Sequence, residues 1–396
     1  MILPVGNLRM EEEMKKSLTV LITCLMAFLF ICGNSYAEKR EKFGEDPRHE
    51  DAKRVSFKTS DENIKWKMVM PWSKGQLFYD MAVHFADSVR LASAGRLDIK
   101  PFSAGELVPD NQTFDAVSAG SVQMAHGSPL YWKGKNEAFV AFASVPFGLD
   151  AEGYNIWLYE KGGLELLQKL YAKFGIFALP AGQTGQEMGL FSNIKATKMS
   201  DFKGMRIRTP GWYMDIMNQL GASVSPLPGG EVYLALERGV IDAAEYSTPA
   251  INYPMGFDEI TKYVIQPGVH QPAFQCDVIF NQKAYDALPQ DLKWILDICA
   301  KETQLWSYNW INSLNATAMT MFKKNVEIVK MDKDTIIEFR KVTKTYMDSV
   351  KAKYPDVKEA LDSQEQFIEE YAVWRDARGG VSPWPYETFI QGKTTE

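Results

Sequence analysis

The sequence predicts an α/β fold: a largely parallel sheet with helices on its faces, in a chain long enough for two lobes. Three observations carry this. Apolar residues recur first at period two and then at helical spacing, in turn, from Ile64 to Ala125 and again from Phe174 to Ala244. The length of 396 residues suits two domains, or one two-lobed domain with additions, and an apolar fraction of 46% can fill a sizeable core. A long helical run from Gln290 to about Lys324 then replaces the alternation, followed by amphipathic helices at Asp334–Tyr354 and Val357–Arg378.

Each element has its own signal. Ile64 to Met70 alternates and reads as the first strand, and Pro71 to Gly75 is a loop. Gln76 to Ala94 has apolar positions at helical spacing. Arg96–Phe102 is a strand, Thr113–Ala119 a helix stopped by Gly120, and Val122–Ala125 a strand. Tyr263 to Phe280, with Pro267-Gly268 and Pro272, reads as a crossover. Trp294, Leu296, Ile298, Trp306 and Trp310 stud the long helix and read as core. The Pro-rich stretch from Val381 to Phe389 is expected to pack as extended chain.

The N-terminus reads as a targeting segment. Lys15 and Lys16 precede an apolar run from Leu18 to Cys32, and Ser35-Tyr36-Ala37 fits a signal-peptidase site after Ala37. The run is shorter than the roughly 20 residues a spanning helix needs. Met14 is a better start than Met1 for such a segment. Residues 1–37 are therefore expected to be a signal peptide, residues 38–63 a flexible leader, and the mature chain exported. Cys276 and Cys299 remain in that mature chain, either as a pair or as two buried thiols. His49, His84, His126 and His270 are scattered and there is no CxxC, so a zinc site is not expected. A net charge of −6 without a basic block argues against a nucleic-acid partner.

Function is most legible between Ala181 and Tyr246. Met205 to Arg208 alternates as a strand, and Thr209-Pro210-Gly211 stops it. Ligands of open α/β sheets sit beyond the carboxyl ends of strands, so Arg208 is favoured over Arg206, one pleat back. Its guanidinium fork matches a carboxylate in two parallel hydrogen bonds. Glu187 lies in a Gly-rich turn. Glu245 follows a short apolar strand, where a carboxylate is costly to desolvate unless paired or metal-bound. For each residue the plainer reading is a solvated group or a surface ion pair. An Arg with acidic residues nearby can also hold an organic acid and a cation together.

Seven segments in a fixed order carry a resemblance. They are FSAGELVP (Phe102 to Pro109), FDAVSAGSVQMAHG (Phe114 to Gly127), YWKGK (Tyr131 to Lys135), VPFGL (Val145 to Leu149), TGQEMG (Thr184 to Gly189), FKGMRIRTPG (Phe202 to Gly211) and GGEVYLALERGVIDAAEY (Gly229 to Tyr246). From about Trp66 to Phe322 the chain resembles the DctP-like substrate-binding proteins of tripartite ATP-independent periplasmic (TRAP) transporters, in the branch that binds 2-oxo and 2-hydroxy monocarboxylates. The resemblance implies a two-lobed periplasmic binding protein fold (type II-like), with hinge strands, a long helix spanning both lobes and extra C-terminal helices. It places one lobe at 64–184 and 246–284, the other at 185–245 and 285–330, and C-terminal helices and tail at 331–396.

It also implies a site. Arg208 would hold the substrate carboxylate. Glu187, Glu245 and the backbone carbonyl of Tyr246 would hold a bridging cation, while Gln183 and Tyr131 would contact the substrate. Two positions depart from the family pattern: Glu187 stands where a Gln is usual, and Tyr246 where a Trp is usual. The additional carboxylate favours calcium over sodium. The smaller ring at Tyr246 favours an acid larger than pyruvate; Trp132, Phe191 and Trp212 read first as core residues and second as apolar lining for it. Delivery to a TRAP membrane permease would follow, and the C-terminal helices are a candidate surface for a homodimer. Two other readings stand beside this one. In the first, a periplasmic enzyme uses Glu187 and Glu245 as paired carboxylates, although the strand-end Arg favours ion pairing over the raised pKa such chemistry needs. In the second, the chain is a ligand-sensing partner of a membrane receptor.

Overall fold

A computed structural model describes Asp61 and residues 63–377. The expected signal peptide, most of the leader and the Pro-rich tail lie outside the described residues. All described residues belong to one compact unit, Thr59–Glu396. Among them no helix is long and apolar enough to cross a membrane.

Two sheets organise this unit. The first has five strands in the order β2-β1-β3-β10-β4 and the second six, in the order β11-β9-β5-β8-β6-β7. In the first, β1 is Ile64–Val69, β2 Leu97–Phe102, β3 Met124–Gly127, β4 Ile176–Gln183 and β10 Gln275–Asn281. In the second, β5 is Leu190–Ser192, β6 Arg206–Arg208, β7 Ser223–Ser225, β8 Ala243–Ala244, β9 Tyr263–Gln266 and β11 Glu327–Lys330. The helices that matter for the site are α1 (Leu77–Ala92), α2 (Ala151–Glu160), α3 (Gly211–Gln219), α4 (Gln290–Asn325), α5 (Lys333–Lys353) and α6 (Pro355–Ala377).

The expectation of a largely parallel sheet needs correction, because both sheets are mixed. β10 runs antiparallel to β3 and β4, and β5 runs antiparallel to β8 and β9. The cause is the connectivity. β4 leads into β5, and β9 into β10, straight from one sheet to the other with no crossover helix between. The segment Tyr263–Phe280, read as a single crossover, accordingly holds two strands, one in each sheet. The stretch 246–284, expected within one lobe, is divided in the same way.

The long helix α4 joins the two cores. Leu292, Leu296, Cys299 and Ala300 are buried in the larger core, while Phe322 packs in a second one with Phe191 and Phe257. The reading of its aromatics as core holds only in part. Leu296 is buried, but Trp294 is 45% and Ile298 60% exposed, on the face turned away from the buried row. Trp306 and Trp310 are half-buried and stack at 4.7 Å. Cys276 and Cys299 are both buried and unpaired.

Two glycines let the backbones meet at the crossing. A Cβ on Gly189 would lie 1.6 Å from the Ile265 carbonyl oxygen, and one on Gly268 would lie 2.3 Å from the Glu187 carbonyl oxygen. Any side chain at either position would force the two crossing segments apart.

Asp277 on β10 is 1% exposed and accepts a hydrogen bond from the Tyr171 hydroxyl. Burial pushes its pKa from 3.8 up to about 8, partly offset by that bond. Between those values the folded protein keeps a proton that the unfolded chain releases, so stability falls as pH rises from about 4 to about 8. One group contributes at most about 1.4 kcal/mol per pH unit. Denaturant melts of wild type and Asp277→Asn across this range should show the stability difference shifting steadily in the variant's favour with pH. A pH-independent difference would contradict the assignment.

Candidate functional site

Arg208 ends β6, and its side chain is buried. The neighbouring β8 ends one residue before Glu245, whose backbone N–H donates to the Arg208 carbonyl at 3.2 Å. Parallel pairing of β6 with β8 thus brings both side chains to one sheet edge. The Arg208 Nη1 donates to Glu245 Oε1 at 3.1 Å and to the Glu245 carbonyl at 3.0 Å, while Nε donates to the Leu227 carbonyl at 3.0 Å. Arg206, at the outer end of the same strand, is exposed and pairs with Asp242, Nε to Oδ2 at 3.0 Å. Position along the strand separates the two arginines: the one at the carboxyl end is buried.

Glu187 arrives from the crossing segment between β4 and β5. Its N–H donates to the Gln271 carbonyl at 3.0 Å, so the second crossing segment, between β9 and β10, holds the first in place. Its Oε1 accepts from the Ser247 hydroxyl at 2.9 Å. His270, on that second segment, brings Nε2 to 3.5 Å from Glu245 Oε2 and 3.8 Å from Glu187 Oε2. The Tyr213 ring of α3 stacks on the imidazole at 5.1 Å.

One ligand atom from each of Glu187, Glu245 and His270 lies within 4.8 Å of the other two, and all three residues are buried. Burial first, and then the neighbouring Glu245 charge, push the Glu187 carboxyl well above the usual range; Ser247 and Arg208 act the other way. This corrects the expectation that the Arg suppresses a raised pKa. Arg208 is committed to Glu245, which leaves Glu187 without a direct cationic partner. Glu187 Oε2 and His270 Nε2 have no hydrogen-bond partner. Buried polar atoms are rarely left unpaired. Two such atoms facing each other beside a second carboxylate make a donor set that suits a cation.

Of the remaining expected residues, Tyr246 and Tyr131 stand beside Arg208 and Glu245, whereas Gln183 makes its bonds to Ser307 and Ala151. Tyr246 places its ring 5.8 Å from the Arg208 guanidinium and against Phe257, and its hydroxyl accepts from Gln76 Nε2 at 3.1 Å. Gln76 precedes α1, so this bond links the first sheet's side to the second's. Tyr131 is 38% exposed as a residue, yet its hydroxyl is buried, and burial raises its pKa well above the usual value. That hydroxyl lies within electrostatic reach of Tyr246, Arg208 and Glu245. Gln183 ends β4; its N–H donates to the Ser307 hydroxyl at 3.0 Å and its Nε2 to the Ala151 carbonyl at 3.4 Å, while Oε1 has no partner. Trp132, Phe191 and Trp212, the candidate apolar lining, are buried core residues.

Residues 68–353 match the family described as bacterial extracellular solute-binding protein, family 7, or DctP. The chain belongs to this family. Across 83% of its length, and 89% of the relative's, it is 34% identical to the monocarboxylate 2-oxoacid-binding periplasmic protein of Nostoc sp.. A TRAP solute-binding protein from Colwellia psychrerythraea, solved with calcium and pyruvate, is 32% identical with a TM-score of 0.77, over 80% of this chain and 97% of that one. One from Bordetella bronchiseptica, solved as a mixed-occupancy dimer with copurified calcium and picolinate, is 27% identical with a TM-score of 0.79, over 84% of this chain and all of that one. The DctP-family chain described here is therefore an extracytoplasmic solute receptor that works with TRAP membrane subunits, and it is not an enzyme. Its two mixed sheets, joined by crossing segments and α4, form the two-lobed periplasmic fold of those neighbours.

His270 is the site residue that the sequence reading misses. It sits in a segment read only as a crossover, and histidine spacing along the chain gives no sign of it. The available signal is a His between Gly268 and Pro272, in a link that runs straight between the two sheets.

Proposed function

We propose that this receptor captures a 2-oxo or 2-hydroxy monocarboxylate between Arg208 and a divalent cation, and presents it to the membrane permease. The observation that carries this is the buried grouping of two carboxylates with one guanidinium. With both acids ionised, the grouping has an uncompensated negative charge. A divalent ion reverses that charge, and a monoanionic acid then neutralises the site. Buried charge is tolerated only when paired in this way. Glu187, Glu245 and the Tyr246 carbonyl would hold the ion, and Arg208 would orient the carboxylate. The ion supplies a positive centre that a carboxylate oxygen and an adjacent C2 oxygen can chelate together. Two carboxylates make a hard, charge-rich oxygen set, which favours calcium over sodium. The relative that binds monocarboxylate 2-oxoacids and the calcium-pyruvate and calcium-picolinate neighbours support this reading. Gln183 Oε1 and the Tyr131 hydroxyl are further substrate contacts.

Tyr246 would set the size of acid accepted. Its hydroxyl is held by Gln76, and a Cβ on Gly229 would lie only 3.0 Å from it, so the larger indole would push into neighbouring space. A thermal-shift panel of 2-oxo and 2-hydroxy acids of increasing size should show wild type preferring acids larger than pyruvate, and Tyr246→Trp shifting towards small ones. A wild-type preference for pyruvate, lactate or dicarboxylates would reject the size argument.

We also propose that two copies pair through the C-terminal helices. Val373 and Trp374 are 75% and 59% exposed near the end of α6. Sedimentation equilibrium should show a dimer that Val373→Glu dissociates; a monomeric wild type would contradict it. The mature chain is proposed to start at Glu38, which intact-mass measurement of the exported protein would check.

A further inference from the structure

We propose that His270 is itself a ligand of the bound cation, through Nε2, and that it makes the site prefer zinc-like divalent ions to calcium. The inference rests on the reading that Glu187 and Glu245 hold a cation. Its own basis is the geometry of the imidazole. His270 Nε2 is buried and makes no hydrogen bond, and it faces Glu187 Oε2, which is equally unpartnered. Its separations of 3.5 Å from Glu245 Oε2 and 3.8 Å from Glu187 Oε2 are long for N–H···O bonds. Bonds of 2.0–2.2 Å in a tetrahedral zinc site set neighbouring ligand atoms roughly 3.3–3.6 Å apart. The Glu245 separation falls inside that range, and the Glu187 separation falls just beyond it, so Glu187 would draw in slightly on binding the ion.

The donor set then decides the ion. Calcium takes oxygen ligands, so an imidazole adds little to its binding. Zinc binds imidazole nitrogen and carboxylate oxygen together, and two carboxylates with one histidine supply its usual three side-chain ligands. The organic acid would enter beside the Tyr246 carbonyl, in a shell that zinc can expand to five. The scaffold also fixes the ring. Tyr213 stacks on it, and the segment carrying it is bonded to the Glu187 backbone through Gln271. A preset ring orientation is what a histidine ligand needs.

The test uses metal-free full-length mature protein and titrates Zn²⁺ and Ca²⁺ separately by calorimetry, for wild type and His270→Asn, with folding checked by circular dichroism. Wild type should bind Zn²⁺ at least about tenfold more tightly than Ca²⁺. The variant should lose about 10- to 100-fold in Zn²⁺ affinity and keep Ca²⁺ affinity within a few-fold. If His270→Asn does not fold, wild type loaded with Mn²⁺ gives an independent answer, because pulsed electron paramagnetic resonance should show coupling to one imidazole nitrogen. Unchanged Zn²⁺ affinity in a folded variant, or no nitrogen coupling, overturns the assignment of His270 while leaving a carboxylate-held calcium site in place. Absence of any cation binding to wild type overturns both the inference and the reading beneath it.

Discussion

Arg208→Lys should weaken binding of a 2-oxo monocarboxylate by about 2–5 kcal/mol, roughly 30- to 5,000-fold in Kd. The size of the effect follows from how the guanidinium is used. Its Nε holds the Leu227 carbonyl and its Nη1 holds Glu245, at 3.0 Å and 3.1 Å. Only a planar fork can make both bonds and still meet a carboxylate edge-on. A lysine ammonium in the same place can neutralise Glu245 or approach the ligand, but it cannot serve all three groups. Calorimetry on variant and wild type measures the loss, and a thermal melt of the unliganded proteins shows whether the fold is kept. Affinity equal to wild type in a folded variant would remove Arg208 from the site. Arg206 is a poor replacement, because it is exposed and already paired with Asp242.

Removing the cation should be nearly as damaging. Without it, burial holds Glu187 towards its protonated form and Arg208 is already paired with Glu245, so among the described residues of the site nothing remains to neutralise an incoming carboxylate. A buried charge left uncompensated costs several kcal/mol. Protein dialysed against EDTA should therefore bind pyruvate or a larger 2-oxo acid more weakly by about 3 kcal/mol or more, and added calcium should restore binding. Elemental analysis before dialysis should show bound metal. Binding that is indifferent to chelation, in protein that carries no metal, would leave a network of buried ion pairs as the better account.

Much of this site is legible in the sequence because it is built at strand ends. The alternation of Met205 to Arg208 and the stop at Pro210 locate the end of β6, and with it the reason to prefer Arg208. The short apolar run before Glu245 locates β8 in the same way. Neither signal shows which acid Arg208 would pair with. That depends on the parallel register of β6 and β8, which joins residues 37 positions apart. The crossing segments were harder to read. A link that leaves one sheet for another has no periodicity of its own, so residues 263–280 read as connection and both strands within them were lost. His270 was lost with them. Its proximity to Glu187 exists only because Gly268 and Gly189 let two crossing backbones nearly touch. The exposed face of α4 is illegible for a related reason: large apolar side chains in a helix signal burial, and sequence does not show which of them the fold leaves outside.

The central claim is that a cation and an organic acid share the space between Arg208 and the two glutamates. Diffraction from crystals grown with calcium and a 2-oxo acid, with an anomalous difference map, tests it most directly. The account predicts one anomalous peak coordinated by Glu187, Glu245 and the Tyr246 carbonyl, with the acid's carboxylate in contact with both that peak and Arg208. An acid bound at Arg208 with no peak beside it, or a peak away from both glutamates, would contradict it.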